Sequence, residues 1–203
     1  MTVAGPRLLP RVQLGSVVLG SALAENVEAL IGDLESIRTI HSGIVGVLGQ
    51  NFLSRFNYQL DYHERKIEFV ADCDEEPRIA GTRLPFNQIE GLIAISAHSA
   101  SDRTWRLVLD SASAGLILFG KPAVNGDFEN YGEIACLATT ITGHKDAEPG
   151  RLRTLRIGET VLADLPVAFM LPDGRAEDGL LPMSLFRAVY VNHKQHYVIL
   201  RRN

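Results

Sequence analysis

The chain has 203 residues, 46% of them hydrophobic and 22% charged, with a formal net charge of −4, a globular composition long enough for one large domain or two small ones. Acidic and basic residues are mixed along it, so no basic stripe points to nucleic acid and no charged tail to a solvated arm. Every apolar run is broken well short of the ~20 residues that a membrane-spanning helix needs.

At the N-terminus, Arg7 and Arg11 precede a mildly apolar run, and Ala22-Leu23-Ala24 has the form of a signal-peptidase site. Gln13, Gly15 and Gly20 interrupt that run, and the same residues suit a strand better. Alternating and β-branched segments continue along the chain, predicting strands over residues 12–19, 58–62, 66–70, 91–97, 105–109, 152–157, 160–162 and 197–200. Short helices are expected at 51–56 and 184–188, with a third over 25–31. Strands closely punctuated by turns describe an all-β barrel or sandwich, not βαβ units. Cys73 and Cys136 lie far apart, unlike a zinc or redox motif. Unpaired thiols and a disulfide both remain open for them.

The chain also repeats itself. Residues 12–19 (VQLGSVVL) match residues 155–162 (LRIGETVL), each read as a strand, a tight Gly turn at Gly15 or Gly158 and a returning strand. Residues 46–53 (GVLGQNFL) match residues 179–186 (GLLPMSLF), and each leads into a hairpin, 56–69 and 189–200. A polar run from Asp72 to Glu76, followed by Pro77, reads as a linker, dividing the chain into units 1–78 and 79–203. The second unit has an additional leading portion: strands over 91–109, then Asp110, then a loop near residues 142–150. Asp110 precedes Gly158 by 48 residues, and the same step back from Gly15 falls about thirty residues before Met1. The first unit is therefore expected to start in mid-lobe.

The chemistry centres on Leu107-Val108-Leu109-Asp110-Ser111-Ala112-Ser113. Three apolar residues make a buried strand, and a sharp turn delivers the carboxylate at its end into a cleft. This segment resembles the Asp-[Ser/Thr]-Gly-[Ala/Ser] loop of the retropepsin and pepsin class of aspartic proteases. Val47-Leu48-Gly49-Gln50-Asn51 is similar to the apolar-apolar-Gly strand that precedes the short helix in that class. The resemblance runs from about Val12 to the end of the chain and includes the order of parts. It implies a retropepsin-like acid protease barrel of two pseudo-symmetric lobes, the N-terminal one incomplete, with few short helices.

In that family two aspartates share one proton and activate a water; one acts as base while the other protonates the scissile carbonyl. By resemblance, Asp110 is one member of the pair and Ser111 orients its loop. Ala112, Ser113, Thr142 and Gly143 would contact substrate, with residues 142–150 as a flap. No metal or other cofactor is called for, and the partner is a peptide or protein. Two departures stand out. Ala112 replaces a Gly, where a methyl would crowd the substrate or strain the turn. In the second copy of the apolar-apolar-Gly pattern, Leu180-Leu181-Pro182, Pro182 replaces the Gly.

One Asp cannot fill both roles, which leaves three expectations: an endopeptidase whose other Asp lies upstream, a homodimer joining two copies of Asp110, or a non-catalytic peptide-binding scaffold. The remaining motifs read as structural. Gly43-x-x-Gly46-x-x-Gly49 lacks the Lys-Ser/Thr ending of a phosphate loop. His193 and His196 should face opposite sides of a hairpin. Ser111 or Ser113 with His98 or His144 lacks a nucleophile motif. Asp61-Tyr62 fits a strand end.

Overall fold

A computed structural model of the chain describes residues 9–70, 79–120, 126–130, 136–140, 143–172 and 174–202. In chain order the elements are β1 (Arg11–Leu19), β2 (Ala22–Leu30), α1 (Glu35–Arg38), α2 (Gln50–Leu53), β3 (Asn57–Asp61), β4 (Lys66–Val70), β5 (Thr82–Pro85) and β6 (Asn87–Ile89). They continue with β7 (Leu92–Ser99), β8 (Thr104–Asp110), β9 (Leu116–Phe119), β10 (Phe128–Asn130), β11 (Cys136–Thr140), β12 (Gly143–Ile157) and β13 (Thr160–Met170). The last are β14 (Gly179–Pro182), a 3-10 turn (Met183–Leu185), β15 (Ala188–Asn192) and β16 (Tyr197–Arg201). The chain is mostly β with few, short helices, as its alternating segments predict.

Six strands close into a barrel in the order β7-β8-β14-β9-β13-β12, and β12 returns to β7 through Leu155↔Ser99 and Arg156↔His98. Its interior is a continuous apolar cluster that includes Trp105, Leu107, Leu152, Leu155, Ile157 and Leu181. A second sheet, β4-β3-β15-β16-β5, joins strands from both sides of residues 71–78. Through it Tyr58, with Leu60 and Ile67 beside it, packs on the barrel core. The β1–β2 hairpin forms a sheet by itself and rests on Phe52, Leu53, Phe56 and Phe69.

The hairpin turns come in matching pairs. Gly20 and Gly158 take the left-handed φ of a tight turn (+59° and +56°), with Leu19↔Ala22 and Ile157↔Thr160 closing them. Six residues beyond each glycine, Asn26 and Asp164 take positive φ at a break in the ladder, the signature of a bulge. The β3–β4 and β15–β16 turns match as well: Asp61 Oδ1 accepts the Glu64 N–H at 2.9 Å, and Asn192 Oδ1 accepts the Gln195 N–H at 2.8 Å.

Several sequence expectations are corrected. Gly15 is not a turn residue but lies inside β1, so Gly20 is the residue that stands where Gly158 does. Residues 25–31 are not helical, because pairing with β1 makes most of them part of β2 and overrides the helix propensity of Ala and Glu. The helix expected at 184–188 is a single 3-10 turn, and Ala188 already opens β15. The flap is not a loop from 142 to 150. Residues from Gly143 onward form the start of β12, paired to β11 from Thr140↔Gly143 to Cys136↔Ala147. His193 and His196 lie in a turn, where strand alternation does not apply, and both rings meet Phe86, at 5.7 and 5.4 Å. Cys73 lies outside the described residues. No helix among them is long and apolar enough to cross a membrane.

Candidate active site

The alternation of β8 sets the position of the carboxylate. Trp105, Leu107 and Leu109 point into the barrel and are fully or almost fully buried. Arg106, Val108 and Asp110 face the other way. Val108 belongs to a small cluster outside the barrel with Ala94, Phe119, Met170, Leu180 and Ala147. Ala147 is contributed by β12 where it pairs with β11. The base of that hairpin therefore packs on the face of the sheet from which Asp110 emerges.

Threading fixes the turn. β14 pairs in parallel with β8, up to Pro182↔Asp110, and antiparallel with β9. One strand thus runs between two strands that residues 111–115 connect, and those residues cross its end. Gly179 permits the close approach: a Cβ there would collide with the carbonyl oxygen of Ile117. The Asp178 carboxylate holds the start of this arrangement by accepting the Arg106 N–H at 2.8 Å. Beside it, Arg175 and Glu177 form a buried ion pair at 3.3 Å, with the guanidinium over the Phe119 ring.

Asp110 is half-buried, and its Oδ1 accepts the Ala112 N–H at 2.8 Å, closing an Asx turn. The Ser113 hydroxyl donates to the Gly115 carbonyl at 2.7 Å. The hydroxyl that ties this turn is thus that of Ser113, and Ser111, expected to orient the loop, is exposed. The strain expected at Ala112 does not arise, since no non-Gly residue with positive φ lies in this turn. Ala112 itself is exposed. Pro182 needs no Gly either, because its φ of −62° suits entry into the 3-10 turn. Gly49, its counterpart before α2, has an ordinary extended backbone.

Asp110, Ser111, Ala112 and Ser113 are thus brought together. Gly143 begins β12 opposite Thr140, and Thr142 lies outside the described residues. His98 hydrogen-bonds Thr104 at 3.2 Å, at the far end of β8 from the serines, which removes it as their base.

Sequence reasoning missed Tyr62. The turn after β3 holds it through its N–H, which donates to Arg187 O at 2.9 Å. Its hydroxyl is buried with no hydrogen-bond partner among the described residues. Burial pushes the phenol up to about 12, and the nearby Asp110 carboxylate adds to the rise. Residue type alone gave no signal here, because the link depends on β3 joining β15, far along the chain.

No protein-family model matches the sequence, and no curated protein matches it. Among solved structures the chain is similar to a retropepsin-like aspartic protease from Rickettsia conorii. The identity is 17% and the TM-score 0.42, over 61% of this chain and 91% of that one.

Proposed function

We propose that Asp110 is one half of an aspartic-endopeptidase site and that peptide hydrolysis requires a second carboxylate facing it. The observation that supports this is the threaded turn: a half-buried carboxylate held at a strand end by its own Asx turn, on the face over which the β11–β12 hairpin packs. In the reaction one carboxylate takes a proton from water. The hydroxide adds to the scissile carbonyl, whose oxygen is protonated by the partner acid. The C–N bond then breaks as the amine leaves with a proton. Asp110 can fill one of these roles, not both at once. Ser113 keeps the turn in register and Ala112 borders the substrate.

A second reading, a catalytically silent peptide-binding protein, is favoured by the methyl of Ala112. An extended peptide would then add to strand edges near the hairpin. Incubation of the protein with a mixed peptide library at acidic and neutral pH, beside Asp110→Asn, separates the two. Cleavage lost in the variant supports the hydrolase. Binding without cleavage supports the scaffold, and equal cleavage by both proteins sinks the role given to Asp110.

A further inference from the structure

The matched turns reveal a surface whose counterpart elsewhere in the molecule is covered. The inner face of β12 carries Leu152, Leu155 and Ile157, all at 0% exposure. Counted from the turn glycines, their equivalents on β1 are Leu14, Val17 and Leu19, and Leu14 and Leu19 are each 39% exposed. The contrast recurs at the threaded strand. Leu180 and Leu181 are 6% and 0% exposed, whereas Val47 and Leu48, in the matching place before α2, are 56% and 39% exposed.

In the barrel the cover consists of strands. β7 bonds the outer edge of β12 at Leu155 and Arg156, β9 bonds β13 from Val167 to Met170, and β8 and β9 flank β14. Among the described residues no strand stands in the corresponding places beside β1, beside β2 or along residues 46–48. Open edges next to exposed leucines make a template for strand addition.

We propose that β1, β2 and residues 46–48 form a docking surface for a polypeptide segment built like residues 92–119 of this chain. The proposal rests on the half-site reading of Asp110 and names what completes it. One strand of the segment adds antiparallel to β1 opposite Val17 and Val18, and a second adds parallel to β2. A third runs parallel to residues 46–48 and ends opposite Gly49, as Asp110 ends opposite Pro182. Its alternate residues are apolar, to cover Leu14, Leu19 and Leu48. A second copy of the chain is the poorer occupant, because its own residues 92–119 are already built into its barrel.

The probe is a second copy of residues 86–120, joined by a flexible Gly/Ser linker ahead of the full chain, with the same segment added as a separate peptide in a parallel arm. Amide exchange is read residue by residue. Docking slows exchange at residues 16–18 and 46–48 by at least about tenfold in either arm. A Leu14→Asp/Leu19→Asp double variant abolishes the effect while β12 and β13 keep their protection. No slowing in either arm overturns the proposal. So does protection that appears in the chain alone as its concentration rises, since a second copy is then the cover. The readout is independent of catalysis. Protection without any cleavage would sink the hydrolase reading and leave the docking surface, and lack of protection leaves Asp110 to the library assay.

Discussion

Two residues near the candidate site do more than their residue types announce. Gly179 begins β14 with no positive φ, so its value is lack of bulk. Gly179→Ala should destabilise the fold by about 2–3 kcal/mol, since the added methyl meets backbone that cannot yield without pushing β9 away. Urea unfolding measures this, and a loss under 0.5 kcal/mol would show that β9 has room to shift. Tyr62 offers a direct test of its proximity to Asp110. The carboxylate disfavours a second negative charge, so neutralising it with Asp110→Asn should lower the Tyr62 ionisation from about 12. Spectrophotometric titration, with Tyr62→Phe to identify the step, reads the shift. An unchanged titration would mean that the two groups do not sense each other.

At the level of elements, what could be read in the sequence was what depends on neighbours in the chain. Strand periodicity in β3, β4, β8 and β16 is local, and expectation and structure agree there within a residue or two. The turn in the first hairpin was locally ambiguous, because Leu14-Gly15-Ser16 and Leu19-Gly20-Ser21 are the same tripeptide. Only the pairing that buries Ala22, Ala24 and Val27 against Phe52 decides for Gly20. The Asp110 turn was legible because three apolar residues and an Asx turn are contiguous. The threading by β14 was not, since it joins residues some seventy positions apart. The same holds for Asp127. Buried at the start of the β10 segment, it accepts hydrogen bonds from the Ser99 hydroxyl at 2.8 Å, the Ser101 N–H at 3.1 Å and the Ser101 hydroxyl. It clamps the β7–β8 connection to the barrel end. Asp127→Ala should cost about 2–3 kcal/mol by stranding those donors. Paired with Ser99→Ala in a double-mutant cycle, it should show a coupling of about 1 kcal/mol, and strict additivity would contradict the clamp.

Across the whole molecule, the two predicted units share one sheet and one core, and this brings acid sensitivity and cooperativity into the same region. His193 sits between Tyr58 and Phe86 with both ring nitrogens buried, and burial pulls it down to about 4 from 6.5. The folded state therefore keeps the ring neutral while the unfolded chain takes up a proton. The resulting stability is present above pH 6.5 and is lost as pH falls toward 4, on the order of 2 kcal/mol in all. Unfolding of wild type and His193→Phe at pH 7 and 4.5 should show a smaller pH difference in the variant, and equal differences would remove His193 as the cause. Tyr58, on the other side of that ring, tests the shared core. It belongs to the first unit, is 1% exposed, and packs in the same cluster as the barrel's Trp105, the only tryptophan in the chain. If the barrel were an independent body, truncating Tyr58 would leave the unfolding followed by Trp105 unchanged. A shared core predicts instead that Tyr58→Ala lowers the barrel's own stability by about 3–4 kcal/mol, because β3 holds β15 and β15 closes over the barrel interior through Val189 and Val191. Trp105 fluorescence and far-UV circular dichroism should then shift together along the denaturant axis. A tryptophan transition that stays in place while the dichroism shifts would instead assign Tyr58 to a separate unit.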